Sequence, residues 1–193
     1  MAERRLTRAS LMRGGATLAA GGVALAAWPG TTASAPSAKQ DAEILRFALG
    51  VEDLQAAFYA DAIKRGALSG ELLEFAHTVG RHELAHAAHI RELLGAGAPN
   101  PQAFGFGDTN INAAAFGRAA IQLEEVGLAA YNGAATSLTS DALADASRIV
   151  SVEARHASWI RDIVGETPAP RAVDRPISAK EAQAALARTG FVR

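Results

Sequence analysis

The sequence predicts an all-α fold, a four-helix bundle in up-down-down-up order with one long crossover between the second and third helices and a short C-terminal helix. Three observations lead to it. Apolar residues recur at alternating steps of three and four along four long segments, the spacing of one helix face. Connections within each pair of segments are short, whereas Gly95 to Asn112 is a long aperiodic stretch rich in Gly, Pro, Asn and Phe. The two pairs also repeat each other, since His82-Glu83-Leu84-Ala85-His86 to Arg91 and Val152-Glu153-Ala154-Arg155-His156 to Arg161 share Glu, His, Ala, Ile and Arg in register.

At 193 residues, 49% of them hydrophobic and with net charge -1, the chain has enough apolar material for one compact core. It contains no cysteine, which excludes disulfides, thiolate metal sites, iron–sulfur clusters and thiol catalysis, so any bound metal has nitrogen and oxygen ligands. Residues 1–35 read as an export signal: Arg4, Arg5, Arg8 and Arg13 make a basic start, Gly14 to Ala27 is small and apolar, and Ala33-Ser34-Ala35 offers a cleavage site. The apolar run is shorter than the ~20 residues of a membrane-spanning helix, so no stable span is expected after cleavage. Two imperfect twin-arginine patterns leave Tat and Sec export as alternatives, either delivering the protein to the periplasm or cell envelope. Without this segment 15 basic and 19 acidic side chains remain, a balance that disfavours nucleic acid as a partner.

The bundle is expected over residues 41–165. Its first helix runs from Asp41, as N-cap, to Arg65, with Gly66 as the stop. The inward line is Leu45, Ala48, Glu52, Ala56, Tyr59 and Ile63, so Glu52 interrupts an apolar stripe, while Asp53, in line with Arg46 and Lys64, reads as solvated. The second helix starts at Ser69, ends at Gly95-Ala96-Gly97, and presents Leu72, Ala76, Val79, Glu83, His86, Ile90 and Leu93 on one line. In the crossover, Phe104, Phe106 and Ile111 are the residues expected to be buried.

The third helix spans Asn112 to Thr136 with Ala120, Glu124 and Tyr131 on one face. Glu124 takes the inward position over Glu125, whose line includes Arg118 and Asn132. The fourth runs from Ser140-Asp141 to Gly165 and aligns Ala142, Ala146, Ile149, Glu153, His156, Ile160 and Ile163. Residues 166–193 are expected as an extended strap and, behind the capping box Ser178-x-x-Glu181, a short helix to Arg188 that packs across the bundle.

Each half is therefore a helical hairpin with Glu on its first helix and Glu-x-x-His on its second, and a Tyr follows each first Glu by seven residues (Glu52 and Tyr59, Glu124 and Tyr131). Residues three apart share a helix face, so each Glu-x-x-His aims a carboxylate and an imidazole in one direction. That direction is the apolar core, where an uncompensated carboxylate is strongly unfavourable, so positive charge is expected beside it. Glu52, Glu83, His86, Glu124, Glu153 and His156 supply four carboxylates and two imidazoles, the donor set of a dinuclear carboxylate site in a four-helix bundle. Two divalent metal ions offset four carboxylates, and these donors suit Fe first and Mn next, with Zn a poorer match.

On these residues the chain resembles the ferritin-like superfamily. More closely it is similar to exported bacterial ferritin-like domain proteins related to plant desiccation-related proteins. The likeness covers residues 41–190, including Leu123-Glu124-Glu125-Val126-Gly127 with Ala130-Tyr131, and Val152-Glu153-Ala154-Arg155-His156. It implies that the six residues are ligands of a di-iron or di-manganese site, with Glu83 and Glu153 as bridges and Glu52, His86, Glu124 and His156 as terminal ligands. The leading functional expectation is redox chemistry with O2 or peroxide, ferroxidase-like or catalase-like, in stress protection, and the long crossover and proline-rich tail favour a monomer or small homo-oligomer over a closed cage.

Two other readings compete. His82-Glu83-x-x-His86 matches a zinc-protease signature, but the second copy has Val152 in place of His82 and no third ligand follows at the usual spacing. A non-enzymatic protein, sequestering metal or keeping the bundle as a scaffold in desiccation or other stress, would carry the same residues. His82 and His89 flank the site and are expected to be exposed or partly buried rather than donors to it. Tyr59 and Tyr131 are expected either to hydrogen-bond a ligand carboxylate or to pack in the core.

Overall fold

The computed structural model describes residues 35–192, and the expected export signal lies outside them except for Ala35. Its helices are α1 (Ala38–Arg65), α2 (Gly70–Leu94), α3 (Ala113–Ala134), α4 (Ser140–Ile163) and α5 (Ala179–Thr189).

Small polar side chains cap the starts of α1, α3, α4 and α5, whereas Ser69, the expected cap of α2, makes no side-chain cap hydrogen bond. The Ser37 hydroxyl accepts the Gln40 amide at 3.3 Å and starts α1 at Ala38. Asp41, the expected cap, is instead buried one turn inside the helix. There its carboxylate accepts the Thr139 amide at 3.0 Å and the Thr139 hydroxyl at 2.6 Å, clamping the start of α4 to the first turn of α1. Asn112 caps α3 by accepting the Ala115 amide at 2.8 Å, and the Ser178–Glu181 capping box opens α5 as expected. Gly66 closes α1 at φ 68°, a left-handed conformation that a side chain would disfavour.

Contacts between named residues give the topology. α1 and α2 are antiparallel, with Tyr59 edge-on to Phe75 at 5.8 Å near one end and Arg91 reaching Asp53 further along. α3 and α4 are antiparallel, since Gly117 faces Val164 while Gly127 faces Glu153. The same sense holds for α1 with α3, through Tyr59 to Glu124 and Tyr131 to Glu52. It holds again for α2 with α4, through Phe75 on Trp159 at 5.2 Å and His89 with Asp145 at 3.1 Å. α1 is thus diagonal to α4 and α2 to α3, the up-down-down-up arrangement.

The core has two apolar parts separated by a polar layer. The larger part holds Phe58, Tyr59, Phe75, Phe116, Leu123 and Ile160, and the smaller holds Leu45, Leu49, Ala87, Ile90 and Ile149. Crossover and tail close the larger part together: Phe106 packs on Phe58 at 5.6 Å and on Phe191 at 5.1 Å, while Gly105 donates its amide to the Phe191 carbonyl at 2.9 Å. Buried Asn110 pins the crossover to α1 by donating to the Phe58 carbonyl at 3.2 Å and to Asp61 at 2.9 Å. α5 adds Ala182 and Leu186 to the same core, and the strap docks where Ile177 donates its amide to the Ala129 carbonyl at 3.0 Å.

Two expected core residues are exposed. Ile111 lies at 52% exposure on the turn just before α3, and Leu93, at 41%, sits in the last turn of α2. No helix among the described residues is long and apolar enough to cross a membrane.

Candidate metal centre

The polar layer consists of the inward residues of the repeat. Glu52 from α1, Glu83 and His86 from α2, Glu124 from α3, and Glu153 and His156 from α4 converge in it. All four carboxylates have no measurable exposure, His156 is 3% exposed, and His86 is partly buried. Glu52, Glu83, His86 and Glu153 each offer a donor atom within 4.8 Å of the others, and Glu83, Glu124, Glu153 and His156 do the same. Glu83 and Glu153 belong to both groups.

Each imidazole turns its Nδ1 to the carboxylates. His86 Nδ1 lies 3.3 Å from Glu52, 3.3 Å from Glu83 and 3.2 Å from Glu153. His156 Nδ1 lies 3.0 Å from Glu83, 3.2 Å from Glu124 and 3.8 Å from Glu153. Glu83 divides its oxygens between them, Oε2 toward His86 and Oε1 toward His156.

Both tyrosines are buried, and they cross between the halves. Tyr59 donates to Glu124 Oε1 and Tyr131 donates to Glu52 Oε1, so each hairpin orients the first carboxylate of the other. Gln55 adds a donor to Glu124 Oε1 at 3.2 Å. Its counterpart in the repeat is Gly127, where a Cβ would lie 3.5 Å from the Gln55 amide and 3.1 Å from Glu153 Oε2. The glycine therefore leaves room for a glutamine that only one half carries.

A second symmetric pair surrounds the layer. The acid after each first Glu meets the Arg eight residues beyond the Glu of the Glu-x-x-His: Arg91 donates to Asp53 at 2.6 Å and 2.7 Å, and Arg161 Nε donates to Glu125 at 2.9 Å. Asp53 is therefore partly buried and ion-paired, contrary to its expected solvation, because α2 delivers an arginine that the α1 pattern alone does not reveal.

Burial and crowding set the charges. Burial, then the neighbouring Glu124 charge, pushes the Glu83 carboxyl well above its ordinary range, and burial with Glu83 and Glu52 does the same to Glu153. Burial also acts to raise Glu52, but its contacts with His86, Glu83 and Tyr131 outweigh this and hold it lower. For His86 burial opposes the charge, yet Glu153, Glu52 and Glu83 prevail and raise it to about 12. Burial and the adjacent carboxylates lift both phenols, keeping Tyr59 and Tyr131 protonated as donors.

The layer still has unmet demand. Glu52 Oε2, Glu83 Oε1 and Glu153 Oε1 have only an imidazole Nδ1 at 3.0–3.3 Å, which each must share with other carboxylates, and buried Glu153 Oε2 has no partner. Buried acceptors are normally satisfied, so these point to cations, and the N/O donor set fits divalent metal ions.

His82 is exposed, as expected, but its Nδ1 lies 2.8 Å from His156 Nε2 with the rings stacked at 5.1 Å. It belongs to neither donor group, so the zinc-protease pairing of His82 with His86 on one ion is not formed. Burial and His156 hold His82 below the ordinary imidazole value. His89 turns away to Asp145. Gln55 and the His82 contact escaped sequence reasoning; the one available signal for Gln55 was a polar residue one turn after Glu52 on the inward face.

Residues 40–166 match the family model described as Ferritin-like domain. No curated protein matches the chain.

Proposed function

The chain belongs to the ferritin-like domain family, and on that premise we propose that it is an exported dinuclear metal protein. Glu52, Glu83, His86, Glu124, Glu153 and His156 would hold two ions, iron first and manganese second, with Glu83 and Glu153 shared between them. The reading assigns redox chemistry with O2 or peroxide, ferroxidase-like or catalase-like, in stress protection at the cell envelope. The observation that carries it is the buried layer itself, four carboxylates between two apolar clusters, three of which have an oxygen without a hydrogen-bond partner of its own. Bound there, a metal pair would supply a two-electron redox couple.

The chain's own residues supply the rest. Tyr59 and Tyr131 hold the outer carboxylates in orientation, Gln55 supports Glu124, and His82 fixes the ring of His156. Fully buried Phe75, Ile90 and Ile160 belong to the apolar clusters on either side of the layer. A non-enzymatic reading, sequestration or scaffold, draws on a specific observation: His86 Nδ1 lies within 3.3 Å of Glu52, Glu83 and Glu153, so a protonated imidazole can offset part of the layer's charge without metal.

The test is metal analysis of protein produced with iron and manganese supplied, followed by stopped-flow Fe(II) oxidation and peroxide decay. Two metals per chain with turnover support the proposal. Two metals without turnover assign sequestration, and no metal refutes both in favour of a scaffold.

A further inference from the structure

A cleft of about 360 Å³ opens over the two imidazoles. Its walls are His82, Ala85 and His86 from α2 and their counterparts in the repeat, Val152, Arg155 and His156 from α4, with Trp159 beside them. The internal symmetry holds at the imidazoles and breaks at the mouth: Arg155 stands opposite Ala85, and His82 opposite Val152. The layer beneath is nearly twofold in its donors, so the opening is where the two halves become chemically different.

The two polar residues of the mouth are not equally engaged. His82 Nδ1 is committed to His156 at 2.8 Å. Arg155 uses only its Nε, which donates to the Ser151 carbonyl of its own helix at 3.1 Å. Its terminal amino groups have no hydrogen-bond or ion-pair partner among the described residues. No carboxylate lines the cleft. A guanidinium with free donors, fixed on a helix above a centre and flanked by the apolar surfaces of Ala85, Val152 and Trp159, attracts anions and repels cations. The volume falls within the size range of small-molecule pockets and exceeds what a diatomic molecule needs.

We propose that this cleft is a subsite for a small monovalent anion, whose charge Arg155 meets, beside the metal centre. The role of such an anion as co-substrate or exogenous ligand rests on the dinuclear reading; the subsite itself does not. It deepens that reading, because a divalent ion passing this mouth meets a fixed positive charge, so the port suits anionic reactants rather than a stream of Fe(II).

The test is azide titrated into the full chain, metal-free and loaded with iron that has been oxidised in air to Fe(III). In metal-free protein the Trp159 indole N–H and Arg155 Nε–H resonances should shift saturably, and in loaded protein an azide-to-iron charge-transfer band should grow. Arg155→Ala should weaken azide binding about tenfold in both forms, as expected for losing a charge-assisted contact. Arg155→Lys should recover most of it. Arg148→Ala removes the same charge from a remote exposed position of α4 and should leave azide affinity within twofold. Azide affinity unchanged within twofold in Arg155→Ala, or lost equally in Arg148→Ala, overturns the subsite. A parent chain that takes up no metal refutes the dinuclear reading, and the metal-free titration still decides the subsite.

Discussion

Tyr131 on α3 donates its hydroxyl to Glu52 on α1, and the repeat returns the contact from Tyr59 on α1 to Glu124 on α3. Each helical hairpin therefore orients a carboxylate belonging to the other, and the two halves fold into one shared layer. Tyr131→Phe leaves the ring packed but removes a donor from a fully buried carboxylate. About 1–3 kcal/mol of stability should be lost at neutral pH, read by urea unfolding, with metal affinity falling roughly 10- to 100-fold. Tyr59→Phe should cost less affinity, since Gln55 still donates to Glu124. Equal losses in the two variants would count against the part given to Gln55.

Stability of the metal-free protein should fall as pH rises. Glu83 and Glu153 have raised folded values, so their contribution is complete below the ordinary 4.5 and is lost as pH climbs toward the folded values. His86, raised to about 12 from 6.5, contributes fully below 6.5 and loses its contribution as pH rises toward 12. Glu52, lowered from 4.5, acts oppositely and matters only as pH drops below that point. Melting temperature should therefore decline from pH 5 to pH 9. Glu153→Gln, which cannot ionise, should stabilise the metal-free chain by about 1–2 kcal/mol at pH 8 and by much less at pH 5. A melting curve that rises through this range would contradict the charge assignment.

Metal uptake should release protons. Burial and mutual repulsion make Glu83 and Glu153 hold protons more tightly than free carboxyls, the carboxylates raise His86 to about 12, and metal–ligand bonds require those positions deprotonated. Titration calorimetry of Mn(II) in buffers of different ionisation enthalpy should give heats that depend on the buffer, with apparent affinity rising with pH. Heats independent of buffer would mean that the layer is already deprotonated.

Two glycines test the packing around the layer. A Cβ at Gly133 would lie 1.8 Å from the Ile177 carbonyl oxygen, so Gly133→Ala should force the strap off α3, cost about 1–3 kcal/mol and expose the 168–177 segment to protease. At Gly127 the obstacle is Glu153 Oε2 at 3.1 Å. Gly127→Ala should change stability less than Gly133→Ala, yet reduce metal affinity by displacing a shared carboxylate. Limited proteolysis and metal titration of the two variants separate these effects.

The bundle was legible because its information is periodic. Glu52, Glu83, Glu124 and Glu153 stand out as charges within apolar lines, and all four are fully buried. Periodicity also carried the choice of Glu124 over Glu125, which pairs instead with Arg161. What escaped depends on neighbouring helices rather than on one helix's own pattern. Asp53 looks solvated along α1 until α2 brings Arg91 to it, and Asp41 looks like a cap until Thr139 arrives from the start of α4. Ile111 and Leu93 are apolar, but they lie at chain turns and helix ends where no partner covers them. His82 is one residue before Glu83 and so faces outward, yet the long imidazole reaches sideways to His156 on α4, a contact that no single-helix argument contains.

The most direct measurement is anomalous diffraction at the iron edge from crystals of the full chain loaded anaerobically with Fe(II). Two peaks enclosed by Glu52, Glu83, His86, Glu124, Glu153 and His156, both lost in Glu83→Ala, are the expected result. Loaded crystals with no peak inside this layer, or with iron only at surface carboxylates, would contradict the dinuclear centre.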